Sequence, residues 1–367
     1  PDTLPSREPD RLASGLLSKF PRLPRPKPSI PVDAERGSRP FDDGLHNDGS
    51  AGDGVYGGAF PQDDARMQYY IYAENDNAGM FSLASVLNGK GYDSKFIYGG
   101  YGYFDNMNAF FAGNGYQIVD RTDFADDEKL FGNVWGVADE YLFLRSLREA
   151  DKSYQAKKPF FSIIMTTTNH RPYTFPAGRV DGEQKKWTGA VKYTDWAIAN
   201  FIKEARKHPW FDDTIFVISA DHCAGSAGKT AVPVDRYHIP LLIYAPKYLP
   251  PREINQLASQ MDVPSTILGL LNMNYVSRFY GRDILRTPPE MQRALIATYQ
   301  RMGLYKNNDL VILSPQHHVE LHRDPLGKDE VLPPSANQAL TDEAIAYYQG
   351  ADYALRHGLM KALPVKK

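Results

Sequence analysis

The chain has 367 residues, with 42 Lys and Arg against 44 Asp and Glu and a formal net charge of −2. This near balance argues against binding nucleic acid by charge, which needs a basic excess to displace phosphate counterions. Apolar residues make up 42% and aromatics 12%, enough to fill the core of one large domain or two smaller ones, so disorder of the whole chain is excluded.

Residues 1–72 differ in kind from the rest. The first 40 carry 9 of the 27 prolines, and positions 43–58 are dominated by Gly, Asp and Asn. Such a stretch offers little apolar surface to offset backbone ordering, so it is expected to be linker or tail, with a short helix around Arg11–Lys19. The second part, 73–367, is expected to fold, starting near Asp76. Met80–Leu87 predicts a helix ended by Gly89 and Gly91, and Lys95–Tyr98 a strand running into Gly99–Asn106 (GGYGYFDN). Phe160–Met165 (FFSIIM), Thr214–Ser219 (TIFVIS) and Ile239–Tyr244 (IPLLIY) are apolar runs short enough to be strands buried on both faces. Between them, Gly189–Lys207 places Tyr193, Trp196, Ala197, Phe201 and Ile202 at helical spacing. Pro264–Leu271 predicts another helix, with Asp262 or Val263 near its cap. Apolar strands separated by amphipathic helices predict an α/β fold with a largely parallel central sheet, covered by helices on both faces.

No run approaches the roughly 18 apolar residues of a membrane helix, and the start lacks the charged-then-apolar order of a signal peptide. The lone cysteine, Cys223, excludes an internal disulfide and a zinc site of several thiolates. It stands beside His222, although a small buried thiol is the commoner outcome.

Ligands of such sheets collect beyond the carboxyl ends of the strands. Three segments lie there: Gly99–Asn106, Thr166–Tyr173 and Ala220–Thr230. Asp221 and His222 follow an apolar strand directly, and where a strand opens into a loop both side chains can turn to one point. A carboxylate oxygen with an imidazole nitrogen suits Mn²⁺ or Zn²⁺; alternatively Asp221 caps the next element and His222 is a hydrogen-bonded loop residue. Thr166–Tyr173 (TTTNHRPY) gathers hydroxyls, an amide, an imidazole and a guanidinium into a rim suited to a phosphate-like anion, or else forms a polar loop bonding its own backbone. In Gly99–Asn106 the glycines let the backbone approach a ligand, and Asp105 and Asn106 can bond sugar or glycerol hydroxyls; an aromatic-lined turn is the plainer reading. Gly228-Lys229-Thr230 lacks the upstream glycine of a P-loop, and Gly225-Ser226-Ala227-Gly228 has the wrong spacing for a nucleophile elbow. His317, His318 and His322 lie in a polar C-terminal third, where a surface role is expected.

FFSIIMTTTNHRPYTFP, YTDWAIANFI, DDTIFVISADHCA, YHIPLLIYAP and QMDVPSTILGLL together resemble the lipoteichoic acid synthase-like phosphoglycerol transferases, a sulfatase-like branch of the alkaline phosphatase superfamily. KFIYGGYGYFDNMNAFFAGNGY and SRFYGRDIL resemble its Gram-negative subgroup, and the likeness runs over about residues 76–357. It implies a metal-dependent transferase, with Mn²⁺ or another divalent cation such as Mg²⁺ or Zn²⁺, that moves a phosphoglycerol group from a phospholipid head group to a glycan or polyol hydroxyl. It implies Asp221 and His222 as metal ligands and His170, Asp105 and Asn106 as substrate contacts, although the segment around Phe104 lacks the Trp and Arg of Gram-positive members. A phosphodiesterase or sulfatase-type hydrolase and a non-catalytic binding module are the alternatives. The family's strand ending in a metal-binding Glu, and its segment with the nucleophilic Thr, find no match: Thr3 is the sole threonine before Asp76. With those ligands missing, metal affinity and turnover are expected to collapse. Relatives are expected at the outer side of the inner membrane, whereas the chain as written carries no leader or membrane helix.

Overall fold

The computed structural model describes residues 77–223, 232–298 and 301–363. The expected Arg11–Lys19 helix and the 1–72 segment lie outside them, as does Gly228-Lys229-Thr230. The helices are α1 (Leu83–Asn88), α2 (Met107–Gly113), α3 (Asp139–Gln155), α4 (Trp187–Ala205), α5 (Val263–Leu270) and α6 (Gln338–Arg356). The strands are β1 (Asp93–Tyr98), β2 (Gln117–Val119), β3 (Phe160–Met165), β4 (Phe216–Ser219), β5 (Leu241–Tyr244), β6 (Ala294–Thr298), β7 (Arg301–Lys306), β8 (Asp309–Ser314), β9 (His318–Arg323) and β10 (Glu330–Leu332). They divide between two compact units. The first takes Lys90–Phe216 and Ile243–Ile254; the second takes 77–89, Val217–Leu242 and the described residues from Asn255 onward.

In the first unit β1 is the middle of a parallel ladder ordered β2-β1-β3, with Phe96 opposite Ile118 and Ile163. Parallel neighbours need crossovers, and α2 and α3 supply them. α3 begins with Asp139 and Glu140 and carries Lys152 in its last turn, which matches the helix dipole at both ends. Its buried Leu142, Phe143, Leu147 and Ala150 recur at helical spacing. Leu142 meets Ile97, Val119, Phe124 and Val137, while Leu147 and Ala150 meet Ile202, Ala205, Trp210 and Phe216. Each of the Leu, Ile, Val and Phe side chains contributes about 1.5–3 kcal/mol by leaving water. Charged groups also enter the core: Lys95 on β1 is buried, its Nζ 3.2 Å from Asp93, 3.0 Å from Glu149 and 3.0 Å from Ser153 Oγ. Buried ammonium groups require such partners.

β1 is buried apart from partly exposed Asp93, whereas the burial on both faces expected of the three apolar runs that form β3, β4 and β5 is not found. Every residue of β3 and β5 is partly exposed; β3 is an outer strand of its ladder, and β4 and β5 form a two-stranded ladder. β4 starts at Phe216 rather than Thr214, because Thr214 closes the preceding turn by donating to Phe211 and Trp210 carbonyls. β5 starts after Pro240, which has no N–H to give a ladder. α1 starts at Leu83 rather than Met80, which instead bridges to Lys361.

The second unit holds a feature the sequence reading missed, a five-stranded antiparallel sheet ordered β10-β9-β8-β7-β6. Between β7 and β8, Asn307 and Asn308 have φ of 50° and 65°, the paired left-handed residues of a tight hairpin. One sheet face, with Leu295, Met302, Leu304, Val311 and Leu321, packs on Leu340 and Ala344 of α6. The other, with Ile296, Leu310 and Ile312, packs on Val232. Asp262 precedes α5 as expected, yet its carboxylate does not cap that helix. It accepts from Ser259 N and Arg282 N and pairs with Arg293 at 2.9 and 2.8 Å. Arg293 is 1% exposed and also donates to the Tyr280 carbonyl and the Tyr347 hydroxyl.

Candidate functional site

At the carboxyl ends of β1 and β3, three loops of the first unit come together. The Gly99–Gly100 backbone lies against Gly136: Val137 N donates to Gly99 O at 2.9 Å. A Cβ on Gly100 would stand 2.1 Å from Trp135 O, and one on Gly136 2.6 Å from Gly99. Only glycine permits that approach. The contact brings Trp135 between the other two loops, its ring 5.1 Å from Phe104, edge to face, and 4.1 Å from the His170 imidazole. Asp120 pins the first loop by accepting from Gly102 N at 3.2 Å and Asn108 Nδ2 at 2.8 Å. Burial raises its carboxyl, but the hydrogen bonds from Thr122, Asn108 and Gly102 outweigh it and hold the group below the usual carboxylate range.

Asp105 and Asn106 follow Phe104 on a short 3-10 turn, both with positive φ (48° and 56°) and both exposed. Asp105 influences Tyr98 beneath it: burial, and then the Asp105 charge, push the phenol up to about 12. The Tyr98 hydroxyl donates to Trp135 O at 3.4 Å. His170 is half-buried, with Nδ1 3.1 Å from the Arg171 carbonyl, which leaves Nε2 for a ligand. Its loop is held by Asp139, whose Oδ1 accepts from Thr167 N (3.0 Å) and Thr168 N (3.1 Å) and whose Oδ2 accepts from Thr194 Oγ1 (2.9 Å). Thr167 and Thr168 are therefore anchors, buried beneath the rim. Arg171 is exposed, and Arg121 lies 5.3 Å over the Tyr101 ring.

In the second unit, Asp221 and His222 turn toward each other where β4 opens: Asp221 Oδ2 and His222 Nε2 are 3.6 Å apart. His222 Nδ1 lies 2.7 Å from the Cys223 carbonyl, which fixes the ring with Nε2 on the side of Asp221. Gln260 Nε2 holds the loop by donating to the Ala220 and Asp221 carbonyls at 3.1 and 2.6 Å. An oxygen and a nitrogen at this separation, with the ring fixed through its other nitrogen, fit two adjacent positions around a divalent ion. Among the described residues no third His, Cys, Asp or Glu joins them in a ready-made metal cluster. Cys223 is partly buried and contributes its carbonyl to this arrangement.

Asp105, Asn106 and His170 thus belong to one arrangement in the first unit, linked through Phe104 and Trp135, and Asp221 with His222 to another in the second. Trp135, Asp139 and Asp120 escaped the sequence reading. An indole does stand against Phe104, supplied by the neighbouring loop; the signal was Trp135-Gly136 three residues before the acidic start of α3. The expected surface role for His322 is overturned. It is 5% exposed, because it lies on the β9 face that pairs with Leu310.

A parallel α/β sheet with polar and aromatic side chains gathered at its strand ends defines the class. A solved structure described as a protein in the alkaline phosphatase superfamily from Vibrio parahaemolyticus has TM-score 0.77 and 32% identity, over 86% of this chain and 76% of that one. The Sulfatase family profile matches residues 58–273, more than half of the chain, and the chain belongs to that family. Phosphoglycerol transferase I of Xanthomonas campestris pv. campestris (strain B100) is 26% identical over 224 residues, 55% of this chain and 30% of its own length. The Escherichia coli (strain SMS-3-5 / SECEC) enzyme of the same name is 25% identical over 204 residues, 52% of this chain and 26% of its own. The chain therefore spans less than a third of these curated relatives. The lipoteichoic acid synthase LtaP from Listeria monocytogenes shares the fold, with TM-score 0.69 at 18% identity over 85% of this chain and 81% of that one. Among the described residues no helix is long and apolar enough to cross a membrane.

Proposed function

We propose that the chain carries the catalytic-type domain of a metal-dependent phosphoglycerol transferase, moving a phosphoglycerol group from a phospholipid head group to a hydroxyl of a glycan or polyol. The observation that carries this reading is the Asp221–His222 pair, 3.6 Å apart with the imidazole fixed through Nδ1. These two residues would hold Mn²⁺, or Mg²⁺ or Zn²⁺ in its place. A bound divalent ion supplies Lewis acidity, neutralising charge on phosphoryl oxygens and lowering the pKa of a hydroxyl. His170 directs Nε2 toward a phosphate oxygen. Trp135 offers its face to the glycerol carbons, and Asp105 and Asn106 bond the glycerol hydroxyls. The nucleophile is unassigned.

The test supplies labelled phosphatidylglycerol and Mn²⁺, with and without an acceptor glycan. Label on the acceptor, lost in Asp221→Ala, is the expected result. Free glycerol phosphate regardless of acceptor would make the protein a hydrolase. Absence of turnover in both arms, with glycerol phosphate still bound, would make it a binding module. His222→Ala is expected to lower Mn²⁺ occupancy in calorimetry more than it lowers thermal stability.

A further inference from the structure

The loops around His170 in the first unit carry apolar and aromatic side chains out into solvent. Tyr101, Tyr103 and Phe104 are exposed, Tyr103 by 79%. The Tyr101 and Tyr103 rings stack at 5.8 Å with their planes 16° apart. In the next loop Asn133 N donates to Gly136 O at 2.8 Å, closing a tight turn that puts Val134 at its tip, 83% exposed. Arg121 ties the two loops together: its Nη1 donates to the Asn133 carbonyl at 3.1 Å, and its guanidinium lies over the Tyr101 ring. Phe104 meets Trp135, which meets His170. These contacts join the rings and Val134 into one rim that borders the imidazole. A contiguous apolar group left in water on a folded chain marks an interaction surface.

The chemistry of the rim selects its occupant. Tyr and Trp join an apolar ring to a polar edge, the combination found where a protein meets the head-group layer of a bilayer. Sugars also stack on such rings, but Val134 has no ring face to offer them, and an apolar tip gains by entering the boundary of the acyl chains. Positive charge stands at the same edge. Arg171 follows His170 and is exposed, and exposed Lys185 is tied to that loop by donating its backbone N to Tyr173 O at 3.1 Å. Among the described residues neither of these side chains, nor that of Arg121, pairs with a carboxylate, so all three are available to anionic lipid. The exposed carboxylate beside Phe104, Asp105, is the group assigned above to the glycerol hydroxyls. A further demand rests on the reading that the donor is a phospholipid: its head group stays tethered to acyl chains, so His170 reaches a phosphate oxygen only if the groups bordering it enter the head-group layer. We propose that Tyr101, Tyr103 and Val134, flanked by Arg121 and Arg171, dock the first unit on a bilayer surface that contains anionic phospholipid.

The test sediments the full chain with vesicles of phosphatidylcholine, alone or mixed with phosphatidylserine or phosphatidylglycerol, and measures binding of soluble glycerol phosphate by calorimetry in parallel. Binding to both anionic vesicles, weaker on phosphatidylcholine and weakened by salt, is expected. Phosphatidylserine has no terminal glycerol, so binding to it reports the surface rather than the head-group site. Tyr103→Ser with Val134→Ser, both exposed and outside the phosphate and glycerol contacts, is expected to bind anionic vesicles about tenfold more weakly, with glycerol-phosphate affinity and melting temperature unchanged. Arg121→Gln with Arg171→Gln is expected to remove the preference for anionic vesicles. Vesicle binding that follows these variants while glycerol phosphate stays unbound would fail the head-group reading and still support the docking surface. No vesicle binding, binding confined to phosphatidylglycerol, or equal binding by the Tyr103→Ser, Val134→Ser variant would overturn the surface. Loss of a soluble glucan oligosaccharide in that variant, with vesicle binding kept, would give the rings to a sugar and overturn it equally.

Discussion

Asp139 and Thr168 cap each other across the first unit: Asp139 N donates to Thr168 Oγ1 and Thr168 N to Asp139 Oδ1, both at 3.1 Å. The N-cap residue of α3 is Ala138, which has no side-chain oxygen to offer, so the side-chain cap comes from the loop after β3. The helix start and the His170 loop are thus locked as one piece. Asp139→Ala would leave the buried Thr167 and Thr168 amides unpaired, at about 1–3 kcal/mol each. Urea unfolding is expected to show a loss of roughly 3 kcal/mol or more, with a smaller loss in Asp139→Asn.

Two carboxyls should act on acid stability with opposite signs. Burial pushes Asp139 above its ordinary 3.8 against hydrogen bonds from Thr167, Thr168 and Thr194. The stability tied to it is full below that ordinary value and is lost as pH rises through the native one. Asp120 is held below 3.8, so its contribution is present above that value and is lost as pH falls through its native one. Stability measured against pH is expected to lose the first slope in Asp139→Asn and the second in Asp120→Asn.

Removing Arg293 while keeping Asp262 would leave a carboxylate buried without its partner. Arg293→Met is expected to cost about 3–5 kcal/mol, and Arg293→Met with Asp262→Leu to recover part of it. Chemical denaturation of both variants checks this. A double variant no more stable than Arg293→Met would show that the lost Tyr280 and Tyr347 contacts dominate.

Trp135 is partly buried and its ring touches His170 and Phe104 at the rim, so its role should appear in binding. Trp135→Ala is expected to weaken glycerol-phosphate binding about tenfold in calorimetry, the range of an aromatic face lost from a ligand. Its melting temperature should fall little. A large thermal drop with unchanged affinity would make the ring a packing element.

What the sequence made legible follows from what local pattern can encode. β1 and β3 were readable because short apolar runs bounded by Gly, Pro or charged residues have few other fates, and the Asp221–His222 pair because adjacency in sequence guarantees proximity. Trp135 and Asp139 were not, since their meaning lies in contacts made 29 to 37 residues away, with Thr168, His170 and Tyr98. The antiparallel sheet was missed although Asn307-Asn308 between two short strand-like runs announces a hairpin. Polar composition hid it, because in β9 Val319 and Leu321 alternate with the polar His318, Glu320 and His322 in a segment read as polar surface.

The mutual approach of Gly100 and Gly136 also limits how this protein can diversify. With no room for a side chain at either position, neither loop can thicken at the crossing without displacing the other. New specificities should therefore arise by exchanging the rings at 104 and 135, as tools are changed in a fixed chuck.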